Sequence, residues 1–274
     1  MVVLKPRDNI SFYQDGYLNK LLLELKKAVS TKPNSVFIII DGRSGMGKST
    51  LATQIGCTLN PNCDINDVYY VPKELSKALS KAKQEDVFIF DEAMLLSSRN
   101  SLTEVNKMMI QVMSMIRSKR VYIIFCINSI FDLDRNLALH RADLLLHCYG
   151  DLLNKGRFCA FFKPAGNSPS KITQLYILGK KYYSYSKPTA NFHGRFIDIF
   201  AIDETEYEKR KQKAINEFLT GSIKKKNIRD NILHKSISYM KDKTHLTPKQ
   251  ISEICSCSHK TIYTILGEED LRDL

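Results

Sequence analysis

The chain has 274 residues, 43% of them hydrophobic, which excludes a disordered chain and allows one large domain or a main domain with a smaller one. Its formal net charge of +12 favours a polyanionic partner, with nucleic acid the first candidate. No stretch approaches the ~18 consecutive apolar residues of a spanning helix, and Met1-Val2-Val3-Leu4-Lys5-Pro6 lacks a basic start before an apolar core, so membrane insertion and secretion are not expected and the cytoplasm is the expected compartment.

In chain order, residues 1–35 read as a helical lead-in. Tyr17, Leu18, Leu21, Leu22, Leu25, Ala28 and Val29 recur at helical spacing, and Thr31–Ser35 breaks the pattern. Val36-Phe37-Ile38-Ile39-Ile40-Asp41 is an apolar, β-branched run that ends in a glycine-rich turn. Gly42-Arg43-Ser44-Gly45-Met46-Gly47-Lys48-Ser49-Thr50 then opens a helix that reaches about Leu59. This is the G-x-x-x-x-G-K-[ST] phosphate loop in a strand–loop–helix setting. The glycines let backbone N–H groups close on a polyphosphate, with the helix dipole behind them. Lys48 is expected to neutralise the outer phosphates and Ser49 to give its hydroxyl to Mg²⁺. The bound molecule is therefore a nucleoside triphosphate.

Asn60-Pro61-Asn62 ends that helix, Asp67–Val71 is a short strand candidate, and Pro72 starts a helix that runs to about Lys83. Val87-Phe88-Ile89-Phe90 is a buried strand that delivers Asp91 and Glu92 at its carboxyl end, where parallel sheets bind ligands. It has the form of a Walker B strand. Asp91 is expected to hold Mg²⁺ through its water shell, and Glu92 to activate the attacking water. Ser101–Ser118 reads as an amphipathic helix whose methionines belong to its core face. Val121–Ile127 is an apolar strand tipped by Asn128, a candidate sensor of the terminal phosphate. A strand lying between those of Lys48 and Asp91 would place it there. Residues 131–140 read as a loop and short helix, and Ala142–Tyr149 as another core strand.

Beyond Gly150 the pattern turns β-like, with Arg157–Phe162, Gln174–Leu178 and Lys181–Ser186 as strand candidates. Cys57, Cys126, Cys148 and Cys159 sit in apolar runs as buried thiols, and Cys255-x-Cys257 has no second pair, so neither a disulfide framework nor a zinc site is expected.

The tail is basic. Between residues 205 and 250 twelve Lys and Arg face five Asp and Glu, a net +7. A charged helix runs from Glu204 to about Phe218, Gly221-Ser222 is a candidate hinge, and Lys224-Lys225-Lys226 follows. Leu246–Leu266 reads as a helix-turn-helix. Thr247 caps the first helix, Pro248 opens it, Ile251 and Ile254 face inward, and small Ser252 lets the helices approach. Ser258 caps the second helix, Ile262 and Ile265 pack back, and His259, Lys260, Thr261, Tyr263 and Thr264 are left for the exposed face. Ser258, His259, Lys260, Thr261 and Tyr263 are the candidate DNA contacts, and Lys224, Lys225 and Lys226 are candidate phosphate contacts. A small helical hairpin that caps the ATPase or mediates assembly is the alternative. The expected division is an ATPase domain at 1–203, a basic helical linker at 204–227 and a helix-turn-helix domain at 228–274.

With phosphate loop, Asp-Glu strand, Asn-tipped strand and β-rich continuation in that order, residues 36–200 resemble the additional-strand P-loop ATPases. Asp132-x-Asp134-Arg135, His140-Arg141-Ala142-Asp143 and Gly156-Arg157-Phe158 are similar to the HerA/FtsK-like group, which includes the zonular-occludens-toxin-like ATPases of phages and archaeal mobile elements. The chain departs from that group in having Asn128 where many members have Gln, and in lacking a following transmembrane helix. The resemblance implies an α/β fold with a mainly parallel RecA-like sheet flanked by helices, a β extension, and here a small all-α tail. It also implies ATP and Mg²⁺ as cofactors, DNA as partner, and assembly as a homo-oligomeric ring, often a hexamer, in DNA translocation or packaging. An arginine acting between subunits would come from Arg117, Arg120, Arg135 or Arg141. An ATP-dependent replication initiator, partition factor or regulatory switch stays open beside the motor. A small-molecule kinase is disfavoured by Glu92 and the basic tail.

Overall fold

The computed structural model describes residues 2–7, 10–91, 116–151, 154–164, 166–244, 246–256, 258 and 262. The chain divides into two compact units, residues 1–214 and 215–274.

In the first unit a hairpin, β1 (Val2–Arg7) and β2 (Ile10–Gln14), precedes α1 (Gly16–Thr31). Of the helical lead-in expected over residues 1–35, Gly16–Thr31 are helix, while Val2–Arg7 and Ile10–Gln14 are strands. The Asp15 carboxylate caps α1 by accepting from the N–H groups of Tyr17 and Leu18. Leu18, Leu22 and Val29 are the buried face, while Tyr17 is 73% exposed.

The centre is a seven-stranded sheet of β3 (Val36–Gly42), β4 (Val68–Tyr69), β5 (Val87–Asp91), β6 (Tyr122–Cys126), β7 (Leu144–Tyr149), β8 (Arg157–Phe162) and β9 (Phe192–Arg195), in the order β4-β5-β6-β3-β7-β8-β9. β4, β5, β6, β3 and β7 are parallel; β8 and β9 continue the sheet antiparallel. The expected extension of the sheet is therefore present, and β6 lies between β3 and β5. Every residue of β3, β5 and β6 is buried, as strands covered on both faces require.

On one face Phe37, Ile39, Phe88, Phe90, Ile123, Phe125 and Leu145 form a core with Leu75 and Leu79 of α3 (Pro72–Ser80), Leu137 of α4 (Arg135–His140), and Ile172, Leu175 and Tyr176 of α5 (Lys171–Gly179). The other face carries α2 (Lys48–Leu59), buried nearly all round. A Cβ on its Gly56 would stand 3.0 Å from Ile89 Cδ1 of β5 and from Cys63 Sγ, so a larger residue there would have to push these side chains aside by a few tenths of an ångström.

Residues 174–178 and 181–186 are not strands. The first lie within α5, and Lys180–Tyr182 form one turn of 3-10 helix. Ile172, Leu175, Tyr176 and Gly179 are the buried positions, a helical spacing that outweighs the β-branched and aromatic content. Residues 101–115, within the expected methionine-rich helix, lie outside the described residues.

A helix, α6 (Glu204–Lys243), leads from the first unit into the second and passes through Gly221-Ser222 without the expected hinge. One glycine costs a helix about 1 kcal/mol, which strong formers on either side can carry. In the second unit α7 (Pro248–Cys255) is capped by Thr247 in a capping box with Gln250, and Ser256 ends it in the left-handed conformation. Ile237, Ile251 and Ile262 form a small core. Ile254 does not face inward: it is 59% exposed. Among the described residues no helix is long and apolar enough to cross a membrane.

Candidate nucleotide site

At the carboxyl edge of the sheet the register sets four strand ends side by side. Asp91 pairs with Cys126, two residues before Asn128, and Asp41 pairs with His147. Between β3 and α2 the loop turns on Gly42, Gly45 and Gly47, with φ of +135°, +80° and +84°. A Cβ on Gly42 would meet the Cys148 carbonyl oxygen at 2.2 Å, and one on Gly47 would meet the Phe196 ring at 2.9 Å. Met46 is buried and anchors the loop, while Arg43, Ser44 and Gly45 are exposed. Gly47 precedes α2 with no side-chain cap, which leaves the helix N-terminus to the loop.

Lys48 Nζ donates to the carbonyls of Gly42 at 2.7 Å and Arg43 at 3.0 Å, and lies 3.4 Å from Asn128 Oδ1. Its ammonium is thereby held over the loop, beside the Asn128 amide. Ser49 Oγ donates to Asp91 Oδ2 at 2.9 Å. Hydroxyl and carboxylate converge as a hard, oxygen-only pair that fits Mg²⁺ rather than a softer metal. Thr50 Oγ1 points elsewhere, to Asp198 Oδ1 at 3.3 Å. Lys48, Ser49, Asp91 and Asn128 are thus brought together. Glu92 lies outside the described residues.

Several groups here have no signature in the motifs. Asp41, wholly buried, accepts from the Ile130 N–H at 2.8 Å and from the Tyr185 hydroxyl, and its other oxygen lies 2.9 Å from His147 Nδ1. The His147 and Tyr185 rings stack at 3.5 Å. Burial beside Asp41 pushes the Tyr185 phenol far above its ordinary range, so it stays a donor. This network ties the strand before the loop to the turn carrying Asn128 and Ser129. Asp91 Oδ2 also accepts from the Tyr207 hydroxyl, with Lys211 Nζ at 3.5 Å, both from α6. Burial and the Asp91 charge push the Tyr207 phenol well up. Residues 197–201 run along α2: Gln54 Nε2 donates to the carbonyls of Ile197 and Ile199, both at 2.8 Å, and Thr53 Oγ1 accepts from the Ala201 N–H. The available signals were a carboxylate closing an apolar strand, and a lone tyrosine among the charges of Glu204–Lys211.

Arg135 and Arg141 are exposed, and Arg120 spends a guanidinium N–H on Gln84. Asp132 accepts from the Tyr183 hydroxyl, Asp134 caps α4, and Asp143 accepts from the Phe37 N–H. Ser258 is exposed, with its carbonyl accepting from the Ile262 N–H at 3.3 Å. His259, Lys260, Thr261 and Tyr263 lie outside the described residues. Lys224, Lys225 and Lys226 are residues of α6. Cys57, Cys126, Cys148 and Cys159 are buried free thiols, and the described residues hold no cluster of metal-ligating side chains.

Among known proteins, the family described as Novel STAND NTPase 3 matches residues 24–147. No curated protein matches the chain. A solved structure, "Crystal structure of FIGL-1 AAA domain in complex with ADP", aligns at 18% identity and a TM-score of 0.33, covering 49% of this chain and 53% of that one. A superposition at that level carries no argument about this chain. The mostly parallel sheet with its loop, together with the family match over residues 24–147, supports a P-loop NTPase fold.

Proposed function

We propose that the chain is an Mg²⁺-dependent ATPase acting on DNA, as a translocating or packaging motor of a virus, phage or mobile element that works as a ring of subunits. The observation that carries the hydrolytic part is the convergence of Lys48, the Ser49–Asp91 pair and Asn128 on one sheet edge. Loop amides and Lys48 hold the β- and γ-phosphates. Ser49 and Asp91 would hold Mg²⁺, which would supply neutralisation of the phosphate charge. Glu92, next in sequence to Asp91, takes the proton of the attacking water as the bond from the γ-phosphorus to the β–γ bridging oxygen breaks. Asn128 orients the water or the γ-phosphate. DNA as partner rests on the net +7 of residues 205–250, including Lys224, Lys225 and Lys226. It rests also on the capped α7, followed by Ser258, His259, Lys260, Thr261 and Tyr263, which we read as a helix-turn-helix.

A second reading, an ATP-controlled switch such as a replication initiator, partition factor or regulator, is favoured by the contacts of Tyr207 and Lys211 with Asp91, which join the site to the helix leading into the basic tail. Steady-state ATP hydrolysis with and without duplex DNA, on wild type and Glu92→Gln, tests the proposal. Wild type should be stimulated by DNA, and the variant should bind ATP yet lose roughly 10²- to 10³-fold in turnover. Unchanged hydrolysis in the variant removes Glu92 from its role. A monomer whose hydrolysis ignores DNA refutes the motor, and a sequence-specific footprint without translocation selects the switch.

A further inference from the structure

Three groups meet at one oxygen of Asp91. Ser49 Oγ donates to Oδ2 at 2.9 Å, the Tyr207 hydroxyl donates to the same atom, and Lys211 Nζ stands 3.5 Å away. The last two are four residues apart on α6, so they share one face of the helix. They differ in how firmly they are held. Tyr207 is 1% exposed, with its ring centroid 5.8 Å from that of Tyr70 and 5.0 Å from that of Phe200, and its carbonyl accepts from the Tyr70 hydroxyl. The Lys211 side chain is 23% exposed, its ammonium 3.4 Å from the Tyr207 oxygen and 5.3 Å from that ring's centroid.

Their effects on a cation at Asp91 are opposite in sign. A phenol donating to a ligating carboxylate fixes its orientation and leaves its charge intact, as outer-shell donors do at metal centres. An ammonium at the same carboxylate competes for that charge, and a divalent cation must displace it or sit beside it against repulsion. Tyr207 is rigid enough for the first role, and Lys211, on a flexible and partly exposed stem, is free to swing away in the second.

We propose that Tyr207 and Lys211 are positioning residues of the cation site: Tyr207 orients Asp91 for Mg²⁺, Lys211 is the counter-ion that Mg²⁺ displaces, and the exchange is felt in the first turns of α6. The inference rests on the reading of Asp91 as the carboxylate of a magnesium–nucleotide site, and it names how that site is regulated. It is independent of whether the tail reads DNA.

The test uses the full chain and N-methylanthraniloyl-ATP at fixed concentration, with MgCl₂ titrated and binding read by fluorescence. Tyr207→Phe should raise the half-saturating Mg²⁺ concentration by roughly tenfold, the lower range for loss of an outer-shell partner. Lys211→Met should lower it several-fold, since a competing charge is gone. A role confined to packing moves both variants the same way, or moves the thermal midpoint alone. Either result overturns the proposal, as does an unmoved magnesium midpoint in both. Should Tyr207→Phe fail to fold, the sign of the Lys211→Met shift decides. As a second readout, amide hydrogen exchange at residues 207–214 of wild type should rise with Mg²⁺ and nucleotide over nucleotide with EDTA; no change refutes the coupling to α6. If wild type binds no nucleotide at any Mg²⁺ concentration, the reading of the site falls and this inference with it. If wild type binds in an Mg²⁺-dependent way and the variants match it, only this inference falls.

Discussion

Replacing Gly47 by alanine separates two demands that the phosphate loop makes on one residue. The first is conformational: Gly47 has φ of +84°, a region where an L-residue is disfavoured by about 1–2 kcal/mol. The second is steric: the new Cβ would stand 2.9 and 3.0 Å from Cε2 and Cζ of Phe196, a ring that is 7% exposed. Overpacking of this kind costs about 1–3 kcal/mol. Together they predict a destabilisation of about 2–4 kcal/mol, some of the clash being absorbed by rotation of the ring. The two parts come apart in a double-mutant cycle. Phe196→Leu removes the ring edge that the Cβ meets but leaves the backbone dihedral unchanged. Gly47→Ala should therefore cost about 1 kcal/mol less in the Phe196→Leu background than in wild type, a coupling of the size contacting residues show. Urea unfolding followed by circular dichroism supplies the stabilities, and N-methylanthraniloyl-ATP binding reports whether the loop still closes. A cost below about 0.5 kcal/mol for the single substitution, within the range of an indifferent surface change, would refute the argument. Strict additivity in the double mutant would refute its steric half.

Asp41→Asn keeps the shape but removes the charge that the Tyr185 hydroxyl, the Ile130 N–H and His147 converge on, and should cost about 3 kcal/mol. For a unit of this size that is a fall of roughly 6–12 °C in melting temperature, and a shift under about 2 °C would count against the network. Asp67 makes stability depend on pH. Burial raises its carboxyl from the usual 3.8 to about 6, so its contribution is fully present below pH 3.8 and is lost as pH rises through 6. Asp67→Asn should remove that loss, gaining about 1 kcal/mol over wild type at pH 7.5 after allowance for partial exposure and nothing at pH 3.5, as read from urea midpoints. Ile251→Ala empties the small core of Ile237, Ile251 and Ile262 and should cost the second unit about 2–4 kcal/mol. Hydrogen exchange would then show lost protection in α7 with β3 unaffected.

Much of the site was legible because its information is local. A run of β-branched residues, three glycines, a lysine and a serine specify strand, turn and helix within fifteen positions, from Val36 to Thr50. The same holds for the apolar strand that ends at Asp91. The strand–helix alternation marked a mainly parallel sheet, since parallel neighbours need covered crossovers, while the full strand order is set only by how the crossovers pack. Residues 174–178 and 181–186 differ from the strand expectation for a definable reason. Gln174-Leu175-Tyr176-Ile177-Leu178 carries the residue types of a strand, and only the burial of Leu175 and Tyr176 together with Ile172 and Gly179 marks a helix. The tyrosines after it alternate, yet Tyr183 reaches Asp132 and Tyr185 reaches Asp41 while Tyr182 stays exposed.

The sequence alone determined that a polyphosphate-binding loop and an acid-tipped strand exist, because each is a short-range pattern with its own backbone chemistry. Tertiary structure decided what surrounds them. Asp41 reaches Tyr185 across 144 positions, Gln54 reaches Ile199 across 145, and Asp91 reaches Tyr207 across 116. None of these pairs has a spacing rule, since each depends on where a sheet edge and a later segment come to lie. A buried carboxylate or amide must find partners wherever the fold brings them. That requirement recruits Tyr207 and Lys211 to Asp91, and it is a property of the packed molecule rather than of any stretch of its chain.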